Sequence, residues 1–198
     1  MIRKILQQIM SLPFMYNLLQ TFFGVQRKKK IIRAYLSPNT ASPAVLDVGG
    51  GTGLYQDIWP GKAKYICLDN DLVKLNGYVP HNGVGYKVCG DAVQLPFNTD
   101  TVDYVFSSSM SHHVPEQFLD KMLCDMARVL KPDGELVFID AVSIPDSRLN
   151  RFLWSLDRGE YPHTRQSLED IINKYFHIKH LKTFSIYYDY LLVVAKKK

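Results

Sequence analysis

Val45-Leu46-Asp47-Val48-Gly49-Gly50-Gly51-Thr52-Gly53-Leu54 decides the fold of this chain. An apolar strand runs into a carboxylate and then into a turn with glycine at positions 49, 50, 51 and 53. Glycine has no Cβ and tolerates positive φ, so such a turn lets main-chain N–H groups approach a nucleotide-like ligand at the start of a helix. A dinucleotide fingerprint needs glycine at its first, third and sixth positions. Here the sixth is Leu54. A tight strand-to-helix turn with no ligand also fits this stretch alone, so its neighbours in the chain have to decide.

The turn reads as Asp47-x-Gly49-x-Gly51-x-Gly53, with Gly50 inside it, and resembles motif I of the class I S-adenosylmethionine-dependent methyltransferases. The carboxylate of Asp47 agrees with that resemblance, because it would repel a pyrophosphate but suits a ligand carrying an ammonium and a sulfonium. A second apolar run, Lys64 to Leu68, ends in Asp69-Asn70-Asp71. An acid roughly 20 positions past a glycine turn is where a second parallel strand ends beside a ribose. The resemblance implies that Asp69 binds the ribose diol and that Asn70 flanks the adenine. Capping of the next helix is the plain alternative for Asp69, and Asp71 could serve that purpose equally well.

A third strand, Val84 to Cys89, gives way to Gly90-Asp91-Ala92 and the turn Leu95-Pro96-Phe97. By resemblance, Asp91 takes the exocyclic amine of the adenine and the Ala92 N–H meets a ring nitrogen. The fourth strand, from Asp103, runs into Ser107-Ser108-Ser109-Met110-Ser111-His112-His113. Ligands of open parallel sheets bind beyond the carboxyl ends of the strands, where the strand order reverses. Ser107 therefore joins the cofactor set, and the acceptor is expected at this strand end. The His-His pair is similar to one found in quinone-biosynthesis and related small-molecule methyltransferases.

Residues 115 to 130 have apolar residues at helical spacing and stop at Lys131-Pro132-Asp133-Gly134, where Gly134 is expected to supply the C-terminal turn conformation. A fifth strand is expected over Glu135 to Ala141, a helix over about 164 to 175, and two closing strands over about 177 to 187 and 190 to 195. The family resemblance implies an α/β, Rossmann-like sheet of seven mostly parallel strands. Its implied order is 3-2-1-4-5-7-6, the last strand antiparallel, with helices on both faces. It also implies an N-terminal helical lid over residues 1–36, ahead of a methyltransferase domain over 37–198.

A histidine in a cleft titrates near neutral pH and can take an acceptor proton, so His112 and His113 are base candidates, with Asp140 a secondary one. Neighbouring residues on a helix point in different directions, so both histidines cannot serve one site, and a structural or substrate-shaping role competes. Adjacent histidines also lack the i, i+4 spacing of zinc pairs. No carboxylate lies between Ser107 and Pro115 for a catechol-type magnesium site, so no metal is expected. The Asp/Asn-Pro-Pro-aromatic signature of nucleobase amine methylation is missing after strand four, which disfavours DNA. The acceptor pocket is assigned to Tyr16 of the N-terminal segment and to Trp154, Arg158, Tyr161 and His163 of the insertion after strand five, where arginine can hold an anion and aromatic rings can stack.

With 198 residues and 46% hydrophobic content, one domain with a full core is expected. Cys67, Cys89 and Cys124 read as buried thiols of a reducing, cytoplasmic compartment. The N-terminal apolar helix reads as a lid. The alternative is peripheral contact with anionic lipid, helped by Arg27-Lys28-Lys29-Lys30. The net charge of +5 comes largely from residues 27 to 33 and Lys196-Lys197-Lys198, read as a solvated helix face and a frayed tail. The function expected is methyl transfer from S-adenosylmethionine to a small molecule. An RNA-modifying enzyme using the basic cluster and a non-catalytic adenosylmethionine-binding partner protein are the alternatives.

Overall fold

The computed structural model describes residues 24–81, 85–144 and 161–198. The fold is built outward from β1 (Ala44–Val48), whose Val45, Leu46 and Val48 are fully buried, as a strand covered on both faces requires. It pairs in parallel with β2 (Lys64–Asp69) on one side and β4 (Val102–Ser108) on the other. Outside β2 lies β3 (Tyr86–Cys89), and outside β4 lies β5 (Leu130–Val142), both parallel. Strand β7 (Asp189–Lys197) runs antiparallel between β5 and β6 (Phe176–Ser185). The resulting order, β3-β2-β1-β4-β5-β7-β6, is the one expected, including the antiparallel last strand.

Two apolar cores flank the sheet. On one face, Leu119, Met122, Leu123 and Met126 of α3 (Glu116–Val129) and Leu168 and Ile172 of α4 (Arg165–Tyr175) pack against Leu46, Val105 and Phe138. On the other, Val25 and Ile32 of α1 (Val25–Arg33) meet Phe106, Val137, Ile139 and Tyr190. Helix α2 (Leu72–Asn76) follows β2, and the Asp71 carboxylate accepts from Val73 N and Lys74 N at its start. Thr164 caps α4 in the same way, accepting from Ser167 N at 3.1 Å. The Leu95-Pro96-Phe97 turn is tied to α3, because Asp125 accepts from Leu95 N and Arg128 donates to the carbonyls of Phe97 and Leu95.

The structure corrects several local expectations. The stretch after the glycine turn stays a three-residue 3-10 turn, Gln56–Ile58, which Pro60 ends by driving Trp59 into extended backbone. Strand β5 starts at Leu130 and absorbs Lys131 to Gly134 as a bulge against Val102 and Tyr104. Gly134 does not have positive φ there; its missing Cβ is needed because one would meet Leu130 Cδ2 at 2.8 Å and Asp103 O at 3.1 Å. Cys89 and Cys124 are exposed, and only Cys67 is buried, because β3 is an edge strand and Cys124 lies off the core stripe of α3. The basic clusters are only in part a solvated face and a tail: Arg27, Lys30 and Arg33 are exposed, as are Lys196 and Lys198. Lys28 and Lys29 point inward on α1, while Lys196 and Lys197 belong to β7, where Lys197 Nζ reaches Asp100 at 2.6 Å.

Residues 1–23 of the expected lid, including Tyr16, lie outside the described residues, as do Trp154 and Arg158. Among the described residues no helix is long and apolar enough to cross a membrane.

Candidate active site

The glycine turn closes the top of β1. Gly49 N and Gly50 N both donate to Leu68 O, at 2.8 and 3.0 Å, so the turn is anchored on the end of β2. Gly49, Gly51 and Gly53 have φ of 75°, 55° and 72°, left-handed values that other residues rarely adopt. The alternation seen in the sequence is therefore an alternation of backbone conformation. Gly50 is required for a different reason: a Cβ there would lie 2.6 Å from Asp47 Oδ2. At Gly49 a Cβ would overlap the Met110 side chain, so the β4–α3 loop sits directly on the glycine turn.

Asp47 lies beneath this turn and is 2% exposed. It accepts a hydrogen bond from the Tyr65 hydroxyl. Burial pushes its carboxyl up to about 7, the Tyr65 hydrogen bond opposes that, and the nearby Asp69 charge adds to it. Asp69, at the end of β2, accepts from Gly51 N at 2.9 Å through one oxygen and from Asp71 N at 2.8 Å through the other. Asp71, not Asp69, caps α2. Each Asp69 oxygen keeps a second lone pair for a hydroxyl donor. Asn70 is exposed beside it. Asp91 is exposed on the loop after β3, its Oδ1 accepting from Val93 N, and Ala92 is half-buried next to it.

The end of β4 carries the other half of the site. Ser109 has a φ of 52° and turns the chain into the 3-10 segment Ser111–His113. Asp140, near the end of β5, gathers that segment: its Oδ2 accepts from Met110 N at 3.0 Å, Ser111 N at 2.7 Å and Ser111 Oγ at 2.6 Å. Its Oδ1 lies 2.6 Å from His112 Nδ1. Burial alone would raise the Asp140 carboxyl, but the adjacent His112 and the Ser111 hydrogen bonds bring it down to about 2. An ionised carboxylate only accepts, so Nδ1 of His112 donates, and in the neutral ring Nε2 carries the lone pair. His113, with its ring centroid 4.3 Å from that of His112, is exposed.

The segment after the insertion returns to this loop. Tyr161 N donates to His112 O at 3.1 Å while the Tyr161 side chain is exposed, and buried His163 places Nε2 3.2 Å from Ser111 O. His163 thus braces the loop that presents His112. Spacing alone pointed to none of Ser111, Met110 or Tyr65. Ser111 stands beside the histidine pair in the chain, but its bond to a carboxylate 29 residues away is visible only in the fold.

The hydroxyls of Ser107, Ser108 and Ser109 are buried and have no hydrogen-bond partner among the described residues. Buried polar groups are ordinarily satisfied, so these hydroxyls are open to a ligand's polar groups, and because successive strand residues face opposite sides of the sheet the three do not converge on one point. With the glycine turn and the open lone pairs of Asp69, this donor and acceptor set suits a nucleoside carrying an amino acid chain. Among the described residues no group of three or more His, Cys, Asp and Glu is placed to hold a metal ion.

Residues 46–138 match the family model described as a methyltransferase domain. The biotin biosynthesis bifunctional protein of Cellvibrio japonicus is 33% identical over 102 residues, covering 50% of this chain and 20% of that protein. Demethylmenaquinone methyltransferase of Thermobifida fusca is 29% identical over 158 residues, covering 75% of this chain and 66% of the relative. The chain therefore spans a fifth of the first relative's length and about two thirds of the second's. Magnesium protoporphyrin IX methyltransferase of Synechocystis, solved with bound SAH, superposes with a TM-score of 0.72 at 18% identity, over 88% of this chain and 84% of that one. By its glycine turn, its sheet order and these matches, the chain is similar to the class I S-adenosylmethionine-dependent methyltransferases.

Proposed function

We propose that this protein transfers a methyl group from S-adenosylmethionine to an oxygen, nitrogen or carbon nucleophile of a small molecule, by direct in-line displacement. The observation that carries this reading is the seating of the Asp140–Ser111–His112 cluster on the glycine turn through Met110, which brings a basic nitrogen to the edge where the nucleoside would lie. When bound, S-adenosylmethionine supplies an electrophilic methyl group on a sulfonium. The remaining work falls to the chain. The glycine turn, whose glycine N–H groups are committed within the fold, lets the nucleoside approach bare backbone, Asp69, Asn70, Asp91 and Ala92 hold it, and the serine hydroxyls at the end of β4 face the amino acid and acceptor side. Holding the reactants in line can account for roughly 7 to 11 kcal/mol of barrier lowering.

His112 receives the acceptor's proton at Nε2, where the acceptor has one, and contributes about 10²- to 10⁴-fold. Asp140 acts as its positioning partner, because a carboxyl held near 2 is too weak a base to take that proton itself. The inward placement of Lys28 and Lys29 removes two charges from the basic surface that an RNA substrate would need. Calorimetric titration with S-adenosylmethionine tests the reading. Binding by the wild type and its loss in Asp69→Ala are expected; no binding, or equal binding by the variant, refutes it.

A further inference from the structure

The turn from Asp91 to Gln94, which follows β3, is closed on itself. Gln94 N donates to Asp91 O at 3.1 Å, and Val93 N donates to Asp91 Oδ1 at 3.0 Å, which fixes the direction of that carboxylate. Ahead of the turn, Gly90 N donates to Asp69 O at 3.2 Å and ties this side to the end of β2. Behind it, the anchorage comes from the last turns of α3. Asp125 Oδ2 accepts from Leu95 N at 2.6 Å, while Arg128 donates through Nη2 to Leu95 O at 3.1 Å and through Nη1 to Phe97 O at 2.7 Å. The same guanidinium grips Asp125 twice, Nε to Oδ1 at 2.5 Å and Nη2 to Oδ2 at 3.1 Å. Burial alone would raise the Asp125 carboxyl, but its bonds to Arg128 and to Leu95 N bring it below its ordinary value, so the pair is ionised at neutral pH. Both backbone groups of Leu95, the residue that follows the turn, are thus held by one charged pair with the directional geometry of a planar fork.

We propose that Arg128, acting with Asp125, is the positioning residue for base recognition: the pair holds the Asp91 carboxylate and the Ala92 N–H at the spacing that tells a 6-amino purine from a 6-oxo purine. The inference rests on the methyl-transfer reading, which puts the adenine against Asp91 and Ala92. Adenine presents a donor at its 6-amino group and an acceptor at the adjacent ring nitrogen, and hypoxanthine reverses both. A reader made of one acceptor and one donor discriminates only while both stay in register, and a lysine, as a point charge, cannot replace the fork that keeps them there.

Calorimetry with S-adenosylhomocysteine and its 6-oxo counterpart, S-inosylhomocysteine, tests this without any methyl acceptor. The wild type is expected to prefer the adenine compound about tenfold or more, because the reversed polarity leaves Asp91 and Ala92 unpaired. Arg128→Met, which keeps an apolar stem and drops every donor, is expected to cut that preference about fivefold or more, chiefly by weakening the adenine compound. Arg128→Lys should retain part of it. A pair that only stabilises the fold would weaken both compounds by the same factor. That result, an unchanged preference, or a wild type that does not distinguish the two compounds overturns the proposal. Should Arg128→Met not fold, the preference of Arg128→Lys decides in its place, and a wild-type value there overturns the proposal. If the wild type binds neither compound, the methyl-transfer reading itself fails and the proposal falls with it.

Discussion

The substitution Asp47→Asn should stabilise the protein at neutral and alkaline pH. Asp47 is buried beneath the glycine turn, with its carboxyl raised from an ordinary 3.8 to about 7, chiefly by burial. The native state therefore binds this proton more tightly than the unfolded chain does. Between about pH 4 and pH 7 the unfolded chain has lost the proton while the native state keeps it, so stability falls as pH rises through that window and levels off above it. At about 1.4 kcal/mol per pH unit, the ionised carboxylate costs about 4 kcal/mol at pH 8 relative to a neutral side chain. The introduced amide would keep an oxygen to accept from the Tyr65 hydroxyl, so the change removes the charge and spares the hydrogen bond. Urea unfolding of both proteins from pH 4.5 to pH 8 reads the effect directly. Every other titrating group contributes equally to the two curves, and their difference should grow with pH in favour of the variant. A difference that does not change with pH, or a variant less stable than wild type at pH 8, would refute the reasoning.

Three further outcomes follow from the same geometry. Gly49→Ala combines a φ of 75° with a Cβ that overlaps Met110, so it should lose at least about 1–3 kcal/mol in chemical denaturation; an unchanged midpoint contradicts the strained turn. Asp140→Asn should lower the turnover of any methylated acceptor by about 10²- to 10⁴-fold, because an amide can stabilise the wrong tautomer of His112, while S-adenosylmethionine affinity stays within a few-fold in calorimetry. Full turnover in this variant removes His112 as the base. A thiol reagent should modify Cys89 and Cys124 rapidly in the native protein and Cys67 only in denaturant, since Cys67 is buried and burial pushes its thiol well up; three equally fast reactions would contradict this.

Much of the fold was legible from local pattern. Three apolar runs each ending near an acid, a glycine turn after the first, and a helix between strands four and five are short-range features, and the strand order came from the methyltransferase resemblance that they carry. The expected fifth strand began too late because Lys131-Pro132-Asp133-Gly134 looks like a turn, whereas pairing with β4 draws it into a bulge. Lys28 and Lys29 were read as solvated because a basic run normally is, and only the packing of α1 against Tyr190 and Asp57 turns them inward.

Sequence by itself determined the sheet and the glycine cradle at its centre, because strand periodicity and glycine's missing Cβ act over a few residues and need no distant partner. The tertiary structure decided what each polar group does there. Asp47 becomes a buried weak acid under Tyr65, Asp140 becomes an ionised hub for Ser111 and His112, and Lys28 becomes an interior cation. Those roles depend on desolvation and on hydrogen-bond partners that fold in from elsewhere in the chain, and spacing along the chain carries neither quantity.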